Sequence, residues 1–350
     1  MSPEMLKTSC LLVAAAAALM AQSVEPGSAI LVRRNGQTIS QEFHGVRDLR
    51  TRTPIDALTD FRLASFTKQF TAMSVMLLIH DGKLRYDTRL TDIFPDFPAY
   101  GRAITIRHLL THTSGLPDYE DLMEGGGWTA THQIQDAEAL ELLRRQDHGK
   151  FAAGTSWSYS NSAYVVLGLV VAKVSGMPFR DLLAQRIFKP LGMTRTLLYV
   201  NGVNTVPNRA YGHSARDGKY VETDQSSSSA TQGDGGIYSN VEDLAKWDDA
   251  LRTNRLLSAK EMAPALVPIK LADGSATHAA PDKPVAYGYG WFLDPLGAHP
   301  RMWHSGTTMG FRTAIERLTE DGVTVIVLSN RSDFDATVVA EKAAQAASSR

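Results

Sequence analysis

The stretch FRTAIERLTEDGVTVIVL, residues 311–328, decides the fold. Two runs rich in β-branched and apolar residues, Phe311 to Leu318 and Val323 to Leu328, are joined through Asp321-Gly322, a tight-turn signal. So short a connection has no room for a crossover helix, so the two strands are expected to run antiparallel. Upstream, Tyr287 to Leu293 and Arg301 to His304 read as further short strands. At the opposite end of the chain, Ala29 to Val32 and Thr38 to Phe43 flank Asn35-Gly36 and read as a hairpin. Between these ends the pattern is helical. Phe66, Phe70, Met73 and Leu77 recur at helical spacing and stop at Asp81-Gly82. Ala163 to Ser175 (AYVVLGLVVAKVS) reads as a buried helix ended by Gly176 and Pro178, and Val241 to Leu251 as an amphipathic one capped by Asn240. Gly125 to Gly127 and Ser226 to Ser229 mark loops, and an Ala-rich helix closes the chain from about Phe334. The expectation is an α+β fold, an α/β sandwich with one mainly antiparallel sheet built from both termini, flanked by helices and carrying a large helical insertion. The sheet lobe takes residues 23–85 plus 286–350, and the helical lobe residues 86–285.

The chain has 350 residues, 43% of them hydrophobic and 21% charged, enough apolar material for a large core. Its formal net charge is -1 and it has no long basic run, so it lacks the electrostatic footprint of a nucleic-acid binder. Cys10 to Ala21 (CLLVAAAAALMA) is too short for the roughly 20 residues that span a hydrocarbon core. With Lys7 before it and small residues near Ala21, it has the proportions of a secretory signal over residues 1–22. Residues 23–350 would then be the mature catalytic chain, exported to the periplasm or the medium, with no stable membrane span. Cys10 is the single cysteine, so cleavage would leave no disulfide, cysteine nucleophile or cysteine-bound zinc. Nothing in the pattern specifies an oligomer.

Three short strings carry chemistry. In Ser65-Phe66-Thr67-Lys68 the two polar residues share a helix face, so the Lys68 amine reaches the Ser65 hydroxyl. A serine becomes a competent nucleophile when a neighbouring base takes its proton. Tyr159-Ser160-Asn161 offers a phenol and a carboxamide ahead of a buried helix, although Tyr199-Val200-Asn201 and Tyr238-Ser239-Asn240 have the same form. Position favours Tyr159, because Asn240 reads as a helix cap and Tyr199 sits in an irregular stretch. His304-Ser305-Gly306-Thr307 ends a short strand, where Gly306 allows close backbone approach and the Thr307 N–H, with that of Ser65, can form an oxyanion hole. His112 and Ser114, in the stretch Leu109 to Pro117, invite a triad reading, although in proteins with lookalike segments this stretch shapes a loop. No Gly-x-Ser-x-Gly is present, and Gly233-Asp234-Gly235-Gly236 lacks the serine of a protease nucleophile loop. Ten histidines include no His-Glu-x-x-His, so neither metal nor cofactor is expected, and the partner is a small-molecule or peptide substrate.

The order of these strings, together with LASFTKQFTA around Ser65, LLTHTSGLP from Leu109, WSYSNSAYVVLG from Trp157, KPLGM from Lys189, GGIYSNVEDLAKW from Gly235 and HSGTTMGF from His304, resembles the serine beta-lactamase and D-Ala-D-Ala carboxypeptidase superfamily, in its class C-like branch. The resemblance runs from about Ser28 to Ala346. It implies a serine hydrolase with Ser65 as nucleophile, Lys68 and Tyr159 as proton shuttles, Asn161 as a binder of the substrate amide, and His304, Ser305, Gly306 and Thr307 as the oxyanion and carboxylate strand. Class C beta-lactamases carry Lys-Thr-Gly where this chain has His304-Ser305-Gly306. An imidazole partly charged near neutrality holds a carboxylate less firmly than lysine. Ester or D-aminoacyl peptide cleavage is therefore expected to exceed lactam hydrolysis. The alternative is a non-turnover penicillin-binding sensor or an inactive binding relative.

Overall fold

The computed structural model describes residues 24–124, 132–280 and 282–349, so the expected signal, residues 1–22, lies outside the described residues. Five strands form the main sheet: β1 (Ser28–Arg34), β2 (Gln37–His44), β3 (Arg301–Thr308), β4 (Phe311–Leu318) and β5 (Val323–Ser329). Their order is β3-β4-β5-β1-β2 and every neighbouring pair is antiparallel. Both termini thus build one sheet, with Ser28 opposite Ser329 and Arg34 opposite Val323. The two hairpin turns also hold each other. Asn35 and Gly36 take φ of 51° and 81°, as a two-residue turn of this kind requires, and Asn35 N donates to Gly322 O at 2.8 Å.

β5 is buried along its whole length, so its two faces must both be covered. Val323, Val325 and Val327 pack with Ala340, Ala344 and Ala347 of the C-terminal helix, where small side chains let helix and sheet approach. Ile326 and Leu328 point the other way, into the large core that holds the remaining helices.

That core is organised by α1 (Lys68–His80), buried from Lys68 to Leu78. It lies beside α2 (Asn161–Ser175), which ends on Gly176 at φ 73°, and α3 (Val241–Arg252), which begins where the Asn240 side chain accepts from Asp243 N at 2.9 Å. Phe70 packs its ring 4.4 Å from that of Trp247, whose indole N–H donates to Gln69 at 3.0 Å. Asp248 of α3 accepts from Arg33 of β1 at 2.7 Å and from Arg317 of β4 at 2.9 Å, tying helix to sheet. The C-terminal helix is α4 (Ala336–Ser348).

Two local expectations are refined. Ser65 lies in a 3-10 turn, Ala64–Thr67, and the α-helix proper starts at Lys68. Tyr287 to Leu293 is a folded-back loop instead of a strand, touching its neighbours through single bridges of Tyr287 with Phe292 and Phe292 with Trp303. Its glycines explain the fold-back. A Cβ on Gly290 (φ 79°) would stand 2.9 Å from Lys68 O, and one on Gly288 would stand 1.9 Å from Ala265 O.

Candidate active site

Ser65 is raised on a tight turn whose preceding residue, Ala64, takes φ 50°, an uncommon conformation for a side-chain-bearing residue and one that concentrates at functional sites. One turn on, Lys68 is fully buried. Its Nζ donates to Ser65 Oγ at 3.0 Å, Asn161 Oδ1 at 2.9 Å and Asp234 O at 3.0 Å. Those three bonds use all its protons, and every partner is a neutral atom. The ammonium position is therefore fixed from three segments of the chain, with Ser65 as one of its contacts.

Tyr159 lies on the extended segment before α2, its ring centroid 5.0 Å from Lys68 Nζ. The two other Tyr-x-Asn strings lie apart from the lysine. Tyr199 and Tyr238 flank the Arg209 guanidinium at 4.9 and 5.0 Å, and burial pushes the Tyr238 phenol up to about 12. Asn161 heads α2. Its amide oxygen faces Lys68 and its amide N–H₂ donates to Glu120 at 3.3 Å.

The edge strand β3 closes the site. Trp303 exchanges both backbone hydrogen bonds with Phe292, at 2.9 Å each, on the side away from β4. Antiparallel alternation then turns the N–H groups of Ser305 and Thr307 to that same free edge. The edge lies against the Ser65 turn. A Cβ on Gly306 would meet Leu63 O at 2.1 Å, and Thr313 Oγ1 donates to Leu63 O at 2.7 Å. The glycine is thus required by close approach, and Thr307 lines the same cleft as Ser65.

His304 differs from the expected half-charged imidazole. It is 1% exposed, its Nδ1 faces Ser305 O at 2.6 Å and its Nε2 faces the Tyr287 hydroxyl at 3.2 Å. Burial first, then the charge on Lys68, lowers it from 6.5 to about 3, so it is neutral at ordinary pH. The linked stability has a definite sign. A histidine whose folded value is depressed contributes fully above its unfolded value of 6.5, and that contribution is lost as pH falls from 6.5 toward 3. Urea unfolding at pH 7.5 and 5.0 should therefore show a larger acid loss for wild type than for His304→Gln; equal losses would contradict this assignment.

Sequence reasoning passed over several residues of the site. Glu120 lines the Ser65 cleft with Arg62, Asn161, Thr231 and Thr307. Gly233 to Gly236, noticed only as a lookalike of another loop, brings Asp234 O to Lys68. A Cβ on Gly233 would stand 2.1 Å from Tyr164 O, which is why a glycine is needed there. Tyr119 donates its hydroxyl to Asp234 Oδ2 at 3.0 Å, and Asp136, raised to about 8 by burial, accepts from Gln232 N at 2.9 Å. Beyond Thr307 a second hollow holds Ser305, Arg312, Ser332 and Thr337. Arg312 Nη1 donates at 2.8 Å to both Thr308 O and Phe311 O. The neighbouring Asp333 is already engaged by Arg331 at 3.0 Å and by the Tyr220 hydroxyl at 3.0 Å. Among the described residues no group of His, Cys, Asp and Glu is arranged to hold a metal ion, and no single helix is long and apolar enough to cross a membrane.

Comparison with known proteins shows the family and the fold. Residues 12–348 match the Beta-lactamase family. A penicillin-binding protein of Bacillus subtilis (strain 168) is 30% identical over 317 residues, covering 87% of this chain and 68% of the relative. Esterase EstB of Burkholderia gladioli is 29% identical over 350 residues, covering 87% of this chain and 86% of the esterase. The crystal structure of D-amino acid amidase from Ochrobactrum anthropi SV3, complexed with D-phenylalanine, superposes with a TM-score of 0.75 at 27% identity, covering 94% of this chain and 96% of that one.

Proposed function

This chain belongs to the beta-lactamase family and is a serine hydrolase of that fold, and from this premise we propose that it works through an acyl-enzyme on Ser65, cleaving D-aminoacyl peptides and amides and small esters in preference to bicyclic lactams. The observation that carries the mechanism is the 3.0 Å contact between a fully buried Lys68 and Ser65 Oγ. Ser65 Oγ attacks the carbonyl carbon as its proton passes to the Lys68–Tyr159 pair. The developing oxyanion is met by the N–H groups of Ser65 and Thr307. The leaving amine takes the proton back from that pair, and water then releases the acyl group.

The substrate preference rests on charge. His304 is neutral, so the strand position that carries lysine in class C beta-lactamases carries no charge here. Glu120 lines the Ser65 cleft together with Arg62, whose guanidinium is turned to Gly235 O and Ser229 O. Arg312 lines the adjoining hollow with Asp333, paired to Arg331, and Asp335, which caps α4; Thr307 is shared between the two. A carboxylate on one flank and a guanidinium on the other suit a substrate with an ammonium on its acyl part and a carboxylate on its leaving part. The names of the esterase and the D-amino acid amidase support the same chemistry. The test compares D-alanyl-D-alanine, D-alanine p-nitroanilide, nitrophenyl acetate and a chromogenic cephalosporin. Glu120→Gln should lower the ratio of kcat/KM for the anilide over nitrophenyl acetate by about 10- to 100-fold, the equivalent of one hydrogen bond to a charged group. Arg312→Gln should lower the ratio of dipeptide over anilide similarly. Wild type strongly favouring the cephalosporin would reverse the ranking.

Export is part of the same proposal, supported by the apolar run from Cys10 to Ala21. N-terminal sequencing from the native host should read a start near Gln22 or Ser23; a chain retaining Met1 or Met5 would refute export.

A further inference from the structure

His112 belongs to the Leu109–Pro117 stretch that the sequence assigns to loop structure, yet it lies directly under Tyr159. It is fully buried, and its ring centroid is 4.4 Å from that of Tyr159, 4.6 Å from Tyr287 and 5.1 Å from Tyr164. Its Nδ1 accepts from Ser160 N at 3.1 Å, and its own carbonyl accepts from Ser158 N at 3.0 Å. The residues on both sides of Tyr159 are therefore tied to this one histidine. Tyr287, packed on the same ring, reaches His304 through its hydroxyl at 3.2 Å, so the phenol of Tyr159 rests on a continuous wall of aromatic rings.

Two features show that an imidazole, and not merely a flat ring, is wanted here. With Nδ1 accepting, the ring proton sits on Nε2, and Nε2 is buried without a partner. A phenylalanine would fill the same space without that unpaired donor. The backbone of His112 is also held at φ 60°, a conformation disfavoured for most side chains, and Gly115 after it takes φ 71° with Phe151 O only 2.1 Å from where a Cβ would be. The loop is bent specifically to bring Nδ1 to Ser160.

Resting on the acyl-enzyme reading above, we propose that His112 is a positioning residue that fixes Tyr159 for proton delivery to the leaving group, acting as a neutral hydrogen-bond acceptor and a ring support. The groups that face it are Lys68 from α1, Tyr164 from α2, Tyr159 and Trp157 from the segment before α2, Tyr287 from its loop and His304 from β3. Burial first, then the charge of Lys68, holds its imidazole well below the usual histidine range, so it stays neutral beside Tyr159.

The reading predicts selectivity by leaving group. An anilide needs its nitrogen protonated to depart, whereas nitrophenolate leaves without a proton. His112→Phe should lower kcat for D-alanine p-nitroanilide about 10- to 100-fold more than for nitrophenyl acetate, within the range for losing a general acid, with KM little moved. His112→Asn, whose Oδ1 occupies the place of Nδ1 and which tolerates φ near 60°, should recover much of the anilide rate. In a Tyr159→Phe background, replacing His112 should cost no further anilide rate, because the two act as one unit. Equal losses on both substrates in both variants, or additive losses in the Tyr159→Phe background, would overturn the proposal while leaving the acyl-enzyme intact. If Tyr159→Phe itself left the anilide rate unchanged, the proton-delivery role of Tyr159 would fall, and the positioning role of His112 with it.

Discussion

Ser65→Ala is expected to lose roughly 10⁶-fold in kcat, the order seen when the nucleophile of a serine hydrolase is removed. The change should leave the fold in place. Among the described residues Ser65 Oγ has one hydrogen-bond partner, Lys68 Nζ, and Lys68 keeps its bonds to Asn161 and Asp234. The covalent step can be read directly. After treatment with a fluorophosphonate, intact-mass analysis of wild type should show one adduct, mapped to the peptide that holds Ser65, and Ser65→Ala should show none. Labelling that survives the substitution would assign the nucleophile elsewhere. A fluorescent penicillin that fails where the fluorophosphonate succeeds would speak to lactam recognition alone, in keeping with the neutral His304.

Lys68→Ala and Tyr159→Phe should each lower turnover by about 10²- to 10⁴-fold, the usual loss when a general acid or base is removed. The lysine variant carries a second cost. Asn161 Oδ1 and Asp234 O both lose their donor, so the head of α2 and the Gly233–Gly236 loop are no longer joined through Nζ. Thermal unfolding should fall for Lys68→Ala and stay close to wild type for Tyr159→Phe. The two other Tyr-x-Asn strings are the controls. Tyr199→Phe and Tyr238→Phe should leave turnover near wild type, although Tyr238 loses a bond to Arg209 and stability drops by about 1 kcal/mol. Tyr238→Phe as damaging as Tyr159→Phe, with its fold intact, would place the proton chemistry at the wrong tyrosine.

The sheet was legible in the sequence because short β-branched and apolar runs and Asn-Gly and Asp-Gly turns are local signals. Val323, Val325 and Val327 against Ile326 and Leu328 show how directly the pattern maps onto two packed faces. Ser65 and Lys68 were legible for the same reason, since both lie within one helical turn. The misread element, Tyr287 to Leu293, is apolar enough for a strand, but Gly288 and Gly290 turn it onto Ala265 and Lys68, contacts that no local pattern encodes. Glu120 and Arg312 went unnoticed, and Asp234 was seen only within a lookalike string, because each reaches the site from a distant segment. The His304 charge was misjudged because burial among Tyr159, Tyr287 and Phe292 is a tertiary fact. The HTSG loop was read as structural, and its geometry gives that structure a purpose only once Ser160 is seen on Nδ1.

The order of the strands has a consequence for how the molecule is made. β1 lies between β5 and β2, and the clasp of Asn35 with Gly322 joins residues 287 positions apart (322 minus 35). A chain emerging from the ribosome displays Ser65 early, with Lys68 already one turn away. It lacks Thr307 until 242 further residues have been added (307 minus 65). Pairings of such long sequence separation form late and slowly, because the intervening chain must first be ordered. Under the proposed mechanism the nucleophile is thus synthesised well before its oxyanion strand, and a nascent chain carries the serine without the Thr307 N–H that would stabilise its reaction.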